Sequence, residues 1–302
     1  LETPWLDNCA LEGEIPATLG NLAHLRDLWL SHNRFEGRIP AELGNLASLR
    51  TLYARGNQLT GGIPATLGAL RNLEGLDLSE NQLAGPLPPE LGGMVSLVYL
   101  DLSNNPLGSP IPAELGNCTN LVGAYLTNCS LSGTLPTEFE NLGALQYLDL
   151  RNNQLSGPIP PAFGNLESME YLRLDYNRLN GSIPPELGNL HNLRYLELGS
   201  NELGGPIPAA LGNLTNLEQL ELLRNRLTGA IPRELGNLRR LRCLYLAGNM
   251  LQGEIPLEIA NLTDLAVEPW PVHFGYNMLT ASDPALLAFL AAKDPRWAET
   301  QT

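Results

Sequence analysis

The sequence predicts an α/β solenoid, in which short parallel strands stack side by side and a C-terminal helix covers the last turn. Three observations predict it: a frame that recurs every 24 residues, an Ile-Pro or Leu-Pro pair between successive copies, and an apolar helical pattern near the C-terminus. One 24-residue turn cannot bury its own leucines, whereas stacked turns share a continuous apolar column.

Each turn opens with the frame L-x-x-L-x-L-x-x-N-x-L, as in "LRYLELGSNEL" at residues 193–203. The frame starts at Leu1, Leu25, Leu49, Leu73, Leu97, Leu121, Leu145, Met169, Leu193, Leu217 and Leu241. A degraded twelfth copy starts at Pro269. A fixed period of this length is typical of repeat architectures. It predicts one strand per turn, with frame-equivalent residues as neighbours.

An asparagine stands at the ninth position of most frames, within the inward-facing series. These residues are Asn33, Asn57, Asn81, Asn105, Asn153, Asn177, Asn201, Asn225, Asn249 and Asn277. An amide both donates and accepts hydrogen bonds, so it can satisfy backbone groups that the chain buries as it leaves the strand. We therefore expect a structural asparagine ladder. Cys9 and Cys129 replace the asparagine in turns one and six, and a thiol is a weaker substitute.

The Ile-Pro or Leu-Pro pair predicts a second, narrower ladder, because the residue before proline is held in extended geometry. A glycine three residues before the proline, such as Gly181, permits a tight turn. Ser109 is the exception.

The segment "SDPALLAFLAAKDP" at residues 282–295 predicts a helix that begins at Asp283 and Pro284 and ends before Pro295. The side chains expected to cover the apolar column are those of Leu286, Leu287, Phe289 and Leu290. Pro4, Pro269 and Pro271 are expected to blunt the edge strands. We thus expect residues 1–280 to form the solenoid of about twelve turns, and residues 281–302 to form the C-terminal capping helix and tail.

This pattern resembles the plant-type leucine-rich repeat, whose mark is L-x-G-x-I-P, over residues 1–280. The resemblance implies a right-handed solenoid with a parallel β-sheet on the concave face and 3₁₀ or loop segments on the convex face. Receptor-kinase ectodomains and polygalacturonase-inhibiting proteins share the repeat and act by binding, so it implies a non-catalytic module of extracellular or cell-surface location. The tail is similar to those of bacterial members.

Several features of receptor relatives are not found in the sequence. It starts in frame at Leu1 without a signal peptide or an N-terminal cysteine cap, and it contains no transmembrane segment or kinase domain. This pattern is consistent with a fragment, a processed chain or an unusual first turn, and receptor signalling does not carry over.

Composition disfavours other classes of function. A net charge of −14 argues against a nucleic-acid partner. The four cysteines stand at unrelated frame positions and are expected to be free thiols, and the four histidines are scattered. We expect no catalysis, no cofactor and no metal ion.

Candidate partner-binding residues stand at the third and fifth frame positions, which face solvent on each strand. Trp5, Trp29 and Tyr53 follow one another at the fifth position and form a predicted aromatic strip; Tyr125 shares that position. Tyr147, Tyr171 and Tyr195 form a second column at the third position, with Tyr176 nearby. Aromatic rows suit partner contacts, although aromatic residues also favour strands for packing reasons alone.

Charged residues at the fifth position suggest two further features. Asp149, Arg173 and Glu197 are expected to form a cross-strand series of ion pairs, which contributes little at a surface. Asp77 stands beside Asp101 with no opposite charge in its column, so the pair is a candidate seat for a cation or for an arginine or lysine of a partner. Ca²⁺ needs six to eight oxygens, and even with Glu80 or Asn104 we expect no tight metal site.

Three functions remain open from the sequence. The first is a recognition module that binds a protein or peptide on the concave face, with the chain as a monomer. The second is an inhibitor whose acidic face docks a basic secreted hydrolase. The third is a passive spacer or assembly element.

Overall fold

The structure, a computed structural model, describes residues 5–265 and 272–301. Its contacts divide the chain into two compact units, Leu1–Leu155 and Ser156–Thr302. The predicted edge residues Pro4, Pro269 and Pro271 lie outside the described residues.

Parallel three-residue strands form the main sheet of the first unit. They are Asp27–Trp29, Thr51–Tyr53, Gly75–Asp77, Tyr99–Asp101, Gly123–Tyr125 and Tyr147–Asp149, paired in this order. Trp5 adds a bridge to Trp29 at the first edge. Each strand buries its central residue, such as Leu28 or Leu52, and turns the flanking side chains outward.

The second unit repeats this arrangement. Its strands are Tyr171–Arg173, Tyr195–Glu197, Gln219–Glu221, Cys243–Tyr245 and Val272–His273, again parallel and in chain order. The register confirms the predicted period, because frame-equivalent residues pair directly: Tyr53 lies beside Asp77, and Tyr171 beside Tyr195.

A second ladder runs beside each main sheet, as the proline positions predict. In the first unit its strands are Glu12–Glu14, Arg34–Arg38, Gln58–Gly61 and Gln82–Leu83. In the second unit they are Ser156–Gly157 paired with Arg178–Leu179, and Gly204–Gly205, Arg226–Gly229, Met250–Glu254 and Met278–Thr280.

The second ladder is weaker around Ser109, the one position where the expected glycine is replaced. Gly108 adopts the positive φ of +67° instead, and the Ser109 hydroxyl accepts a hydrogen bond from Leu87 N at 3.1 Å. Between residues 84 and 155 the second ladder contains no paired strands. The one β-bridge there joins Pro110 to Ser132.

Each turn of the described chain returns to the next strand through a short 3₁₀ helix that follows the proline. In the first unit these are Ala17–Asn21, Ala41–Asn45, Ala65–Ala69, Pro89–Gly93, Ala113–Asn117 and Thr137–Asn141. In the second they are Pro161–Asn165, Pro185–Asn189, Ala209–Asn213, Arg233–Asn237 and Leu257–Asn261. The helices stack closely: a Cβ on Gly68 would collide with the backbone carbonyl of Glu90 in the next turn.

The asparagine ladder has the geometry expected of it. Asn201 Nδ2 donates to the carbonyls of Leu174, Leu198 and Gly199 at 3.0, 3.1 and 3.2 Å. Its Oδ1 accepts from Leu179 N at 2.9 Å. The amide is buried, and each bond satisfies a backbone group of its own turn or of the preceding one. Asn201 is therefore structural.

The two cysteine positions lack an amide oxygen, and the asparagine of the next turn accepts an additional hydrogen bond from the cysteine N. Asn153 Oδ1 accepts from Cys129 N at 3.1 Å and from Leu131 N at 2.9 Å. The Cys129 thiol donates to the Leu102 carbonyl at 3.2 Å. One amide thus serves two backbone donors at this turn.

The C-terminal helix spans Pro284–Lys293, and the Asp283 carboxylate accepts from Ala285 N and Leu286 N. Leu286 and Leu290 are buried, as predicted. The prediction for Leu287 is wrong, since its side chain is 39% exposed, and Phe289 is only half-buried. Residues four apart share one face of an α-helix, and that face carries Leu286 and Leu290. No helix among the described residues is long and apolar enough to cross a membrane.

Candidate functional site

The predicted aromatic strip begins at the first edge of the first unit. The rings of Trp5 and Trp29 are stacked, with centroids 4.8 Å apart and planes at 7°. Tyr53 follows at 5.4 Å from Trp29 in a tilted arrangement. Trp5 is 71% exposed, whereas Trp29 and Tyr53 are half-buried. Trp29 Nε1 is shielded from solvent and has no hydrogen-bond partner among residues 5–265 and 272–301.

The strip continues further than the sequence predicts. Tyr53 reaches Tyr99, two strands away, with ring centroids 6.5 Å apart, and Tyr99 reaches Tyr125 at 5.5 Å. Gly75 makes this possible, because a Cβ there would lie 2.6 Å from the Tyr53 hydroxyl oxygen. The Tyr125 ring lies over Gly123 of its own strand, where a Cβ would be 2.9 Å from it. We call Trp29, Tyr53, Tyr99 and Tyr125 the aromatic row.

Two carboxylates, Asp77 and Asp101, stand next to each other between the rings of this row. Asp77 Oδ1 accepts from Ser79 N at 3.0 Å and from the Ser79 hydroxyl at 2.6 Å. Asp101 Oδ1 accepts from Ser103 N at 2.9 Å, and its Oδ2 accepts from the Tyr99 hydroxyl at 3.2 Å. Neutral donors therefore hold both carboxylates in place.

Burial and like charge perturb the titration of this cluster. Burial, opposed by the Ser79 hydrogen bonds and aided by the charge of Asp101, raises the pKa of Asp77. Burial and the nearby aspartates raise the pKa of Tyr53 and of Tyr99. The hydroxyls stay protonated at neutral pH, so the row presents ring faces and hydrogen-bond donors beside two acidic groups.

The groups that could complete a metal site around Asp77 and Asp101 are engaged elsewhere. Glu80 accepts from Arg55 at 2.7 Å, and Asn104 Oδ1 accepts from Asn128 Nδ2 at 3.0 Å. No cluster of three or more His, Cys, Asp or Glu side chains suited to a metal ion occurs among residues 5–265 and 272–301.

The second unit carries a different aromatic group. Tyr171 and Tyr195 are stacked, with centroids 4.6 Å apart and planes at 8°. The guanidiniums of Arg173 and Arg194 lie between 5.4 and 6.0 Å from both ring centroids. Arg173 pairs with Glu197 at 3.2 Å, as predicted. Arg194 pairs with Glu218 at 2.7 Å, so both arginines of this group already have an acidic partner within the chain.

Two further sequence candidates are Tyr147 and Tyr176. Tyr147 stands on the last strand of the first unit, beside Gly123. Tyr176 is in the turn after a strand rather than on its face, is 50% exposed and has φ +54°. Sequence reasoning missed the part of Tyr99 in the aromatic row; the signal was the missing side chain at Gly75, which leaves room for Tyr53.

Comparison with protein families gives matches over most of the chain. A family model described as a leucine-rich repeat region matches residues 5–124. A second, described as a leucine rich repeat, matches residues 119–179 and 191–251. A comparison with curated proteins gave no match.

Solved structures with the same fold come from plants and from a bacterium. The plant peptide hormone receptor RGFR1, in complex with RGF2, is 37% identical with a TM-score of 0.89, over 94% of this chain and 45% of that one. The ectodomain of the Arabidopsis receptor kinase HAESA, in complex with an extended IDA peptide hormone, is 33% identical with a TM-score of 0.82, over 94% and 47%.

The Leptospira interrogans leucine-rich-repeat protein LIC12759 is 29% identical with a TM-score of 0.72, over 96% of this chain and 76% of that one. The chain thus spans about half the length of the two plant structures.

Proposed function

Because the chain belongs to the leucine-rich-repeat family and carries its plant-type repeat, we propose that it is a non-catalytic recognition module. It binds a peptide, or an extended segment of a protein, across the outward faces of the strands in the first unit. We take these faces to be the concave side that the plant-type repeat implies.

The aromatic row is the observation that carries this proposal. Its rings contact one another on neighbouring strands and, from Tyr53 to Tyr99, over the intervening strand, so they are held in place before any ligand arrives. Large rigid rings bury much area for little loss of conformational freedom, and tryptophan and tyrosine dominate binding hot spots. A row that runs across several strands suits a ligand that is itself extended.

The relatives support the same kind of ligand. RGFR1 is described as a peptide hormone receptor in complex with RGF2, and HAESA is described in complex with an IDA peptide hormone. Both are receptors, and HAESA is represented by its ectodomain. We therefore place this chain outside the cell or at its surface.

Peptide selection followed by calorimetry tests the proposal. Random twelve-residue peptides displayed on phage are selected on the immobilised chain, and synthetic versions are titrated into wild type and Trp29→Ala. Trp29 is the most central tryptophan, flanked by Trp5 and Tyr53. Its removal should weaken binding by about 2 kcal/mol or more, roughly thirty-fold.

Tyr276→Ala is the matched control, because Tyr276 is equally aromatic, 59% exposed and located in a turn of the second unit. It should leave affinity unchanged. Failure to enrich any peptide, or equal affinity for Trp29→Ala and wild type, would refute the proposal. In the second case a lowered melting temperature would identify the row as a packing feature.

The acidic pair in the row keeps a second candidate open, namely inhibition of a basic secreted hydrolase. Such inhibition would be one-to-one, would weaken with salt, and would disappear in an Asp77→Asn/Asp101→Asn variant. A chain that binds neither peptides nor hydrolases would be a spacer.

A further inference from the structure

Three aspartates occupy the fifth frame position in the first unit, and one of them already holds a guanidinium. Arg151 Nε donates to both oxygens of Asp149, at 3.0 and 3.1 Å, and Arg151 Nη2 donates to Oδ2 at 2.8 Å. Arg151 stands two residues after Asp149, at the seventh frame position. Its side chain therefore approaches from the outward side of the strand.

At the other two aspartates the seventh position is a serine. Ser79 and Ser103 follow Asp77 and Asp101, so the space that Arg151 fills in its own turn receives no guanidinium from these turns. Among the described residues no hydrogen-bond donor reaches Asp77 Oδ2. The two carboxylates stand on adjacent paired strands, which lie about 4.8 Å apart.

We propose that Asp77 and Asp101 bind an arginine side chain of the partner, in the manner in which Arg151 binds Asp149. The inference rests on the proposed function. It specifies which side chain of the ligand binds to the two aspartates between the rings of the aromatic row. The occupant is an extended segment in which an arginine is flanked by apolar or aromatic residues.

The chemistry of the surface favours arginine over lysine. A guanidinium is planar and offers donors along two edges, so it can bridge two neighbouring carboxylates, whereas an ammonium acts as a point charge. It also stacks on aromatic faces, and Tyr53 and Tyr99 lie on either side of Asp77 in the row.

The charge of Arg55 acts on Asp77 and lowers its pKa, but the guanidinium of Arg55 is hydrogen-bonded to Glu80 instead. Arg55 Nη2 donates to Glu80 Oε1 at 2.7 Å, and that hydrogen bond is the main cause of the raised pKa of Arg55. Burial and the charge of Asp101 raise the pKa of Asp77, which means that the ionised form of its carboxylate is disfavoured. A guanidinium from the partner would offset both effects. The net charge of −14 favours the approach of such a group.

Three blocked peptides that differ at one side chain test the inference. The probes are acetyl-Gly-Trp-X-Tyr-Gly-amide with X as arginine, lysine or citrulline, titrated into the full chain by calorimetry at low salt. Citrulline keeps the shape of arginine without the charge. We expect the arginine peptide to bind at least about tenfold more tightly than the citrulline peptide, as one charge-assisted contact implies, with lysine between them.

Charge-neutral variants show where this preference originates. In Asp77→Asn/Asp101→Asn the ratio of arginine to citrulline affinity should fall below about twofold. The matched control, Glu114→Gln/Glu138→Gln, removes the same charge from exposed 3₁₀-helix positions of adjacent turns and should keep the full ratio. Circular dichroism of each variant verifies that it is folded.

The outcomes separate this inference from the proposed function. Equal affinity for the arginine and citrulline peptides, or an equal loss of preference in both double variants, overturns the inference. It is likewise overturned if none of the three probes binds while phage-selected peptides bind in a Trp29-dependent manner, and the proposed function then stands. If neither probes nor selected peptides bind, both are refuted.

Discussion

Leu279 N donates a hydrogen bond to Gln301 Oε1 at 2.9 Å. The two residues are 22 apart in the chain, the same separation at which Leu179 N donates to Asn201 Oδ1. Gln301 Nε2 also donates to the carbonyls of Phe274 and Trp297, at 3.2 and 2.6 Å. A glutamine of the tail therefore provides the rung of the asparagine ladder that follows Asn277.

Replacing Gln301 by alanine should lower the free energy of unfolding by about 1 kcal/mol, because Leu279 N would lose its acceptor. The matched control is Gln252→Ala, which removes an exposed glutamine of the same unit. Urea denaturation followed by circular dichroism measures both. Equal stability of the two variants would show that the tail covers the last turn without the ladder bond.

Replacing Asn201 by alanine should destabilise the fold by about 1–3 kcal/mol, because the variant leaves Leu179 N and three carbonyls without their amide partner in a buried position. Asn189→Ala removes an exposed asparagine from a 3₁₀ helix and serves as the control. The urea midpoint of Asn201→Ala should fall clearly below that of the control. Coincident unfolding curves would contradict the account of the buried ladder.

The cysteines should differ strongly in reactivity. Burial raises the pKa of the Cys118 thiol to about 11 and that of Cys129 to about 12, whereas Cys9 is exposed. A raised pKa leaves only about one thiolate in a thousand at Cys118 at pH 8, and the thiolate is the reactive form.

Iodoacetamide should therefore modify native Cys9 first and reach Cys118 and Cys129 only when urea unfolds the chain, as followed by mass spectrometry of tryptic peptides. Modification of all three at similar rates in the native chain would show that the interior opens readily.

Asp77→Asn should stabilise the protein at pH 7. The folded state raises the pKa of Asp77, so folding favours the protonated carboxyl, and stability is lost as pH rises through the folded pKa. Asparagine is neutral and retains an oxygen for Ser79.

The gain at pH 7 should be about 0.5 kcal/mol, the order of one like-charge pair on adjacent strands. It should shrink as the pH is lowered through the raised folded pKa, because Asp77 of the wild type then becomes protonated. Urea unfolding at several pH values measures this difference, with Glu114→Gln as a control for the loss of an exposed carboxylate. A gain that does not change with pH would point to a packing effect.

The strand register and the ladder could be predicted to the residue because the period is uninterrupted. Any insertion between Leu25 and Leu241 would have displaced the later frames. The pairing of Trp29 with Tyr53, and the hydrogen bonds of Asn201, follow directly from that spacing.

The contacts that could not be predicted depend on side-chain direction or lie outside the frame. Tyr53 contacts Tyr99 because its ring lies over Gly75. The frame predicts contacts between equivalent positions, whereas this contact joins a fifth position to a third position two strands away. Gln301 belongs to no frame, so its place in the ladder depends on how the tail folds back after the helix. The exposure of Leu287 depends on which face of the helix meets the turn beneath it.

The short reach of the ladder bears on how such a chain evolves. Asn201 bonds to backbone groups at most 27 residues before it, and its acceptor oxygen serves a donor 22 residues before it. Removing one whole turn, such as residues 209–232, would bring frame-equivalent partners together again, whereas removing 23 residues would reverse the faces of the strand that follows. Duplication or loss of gene segments can therefore change the length of the binding surface by whole turns. Each added turn contributes its own asparagine and forms the same ladder hydrogen bonds.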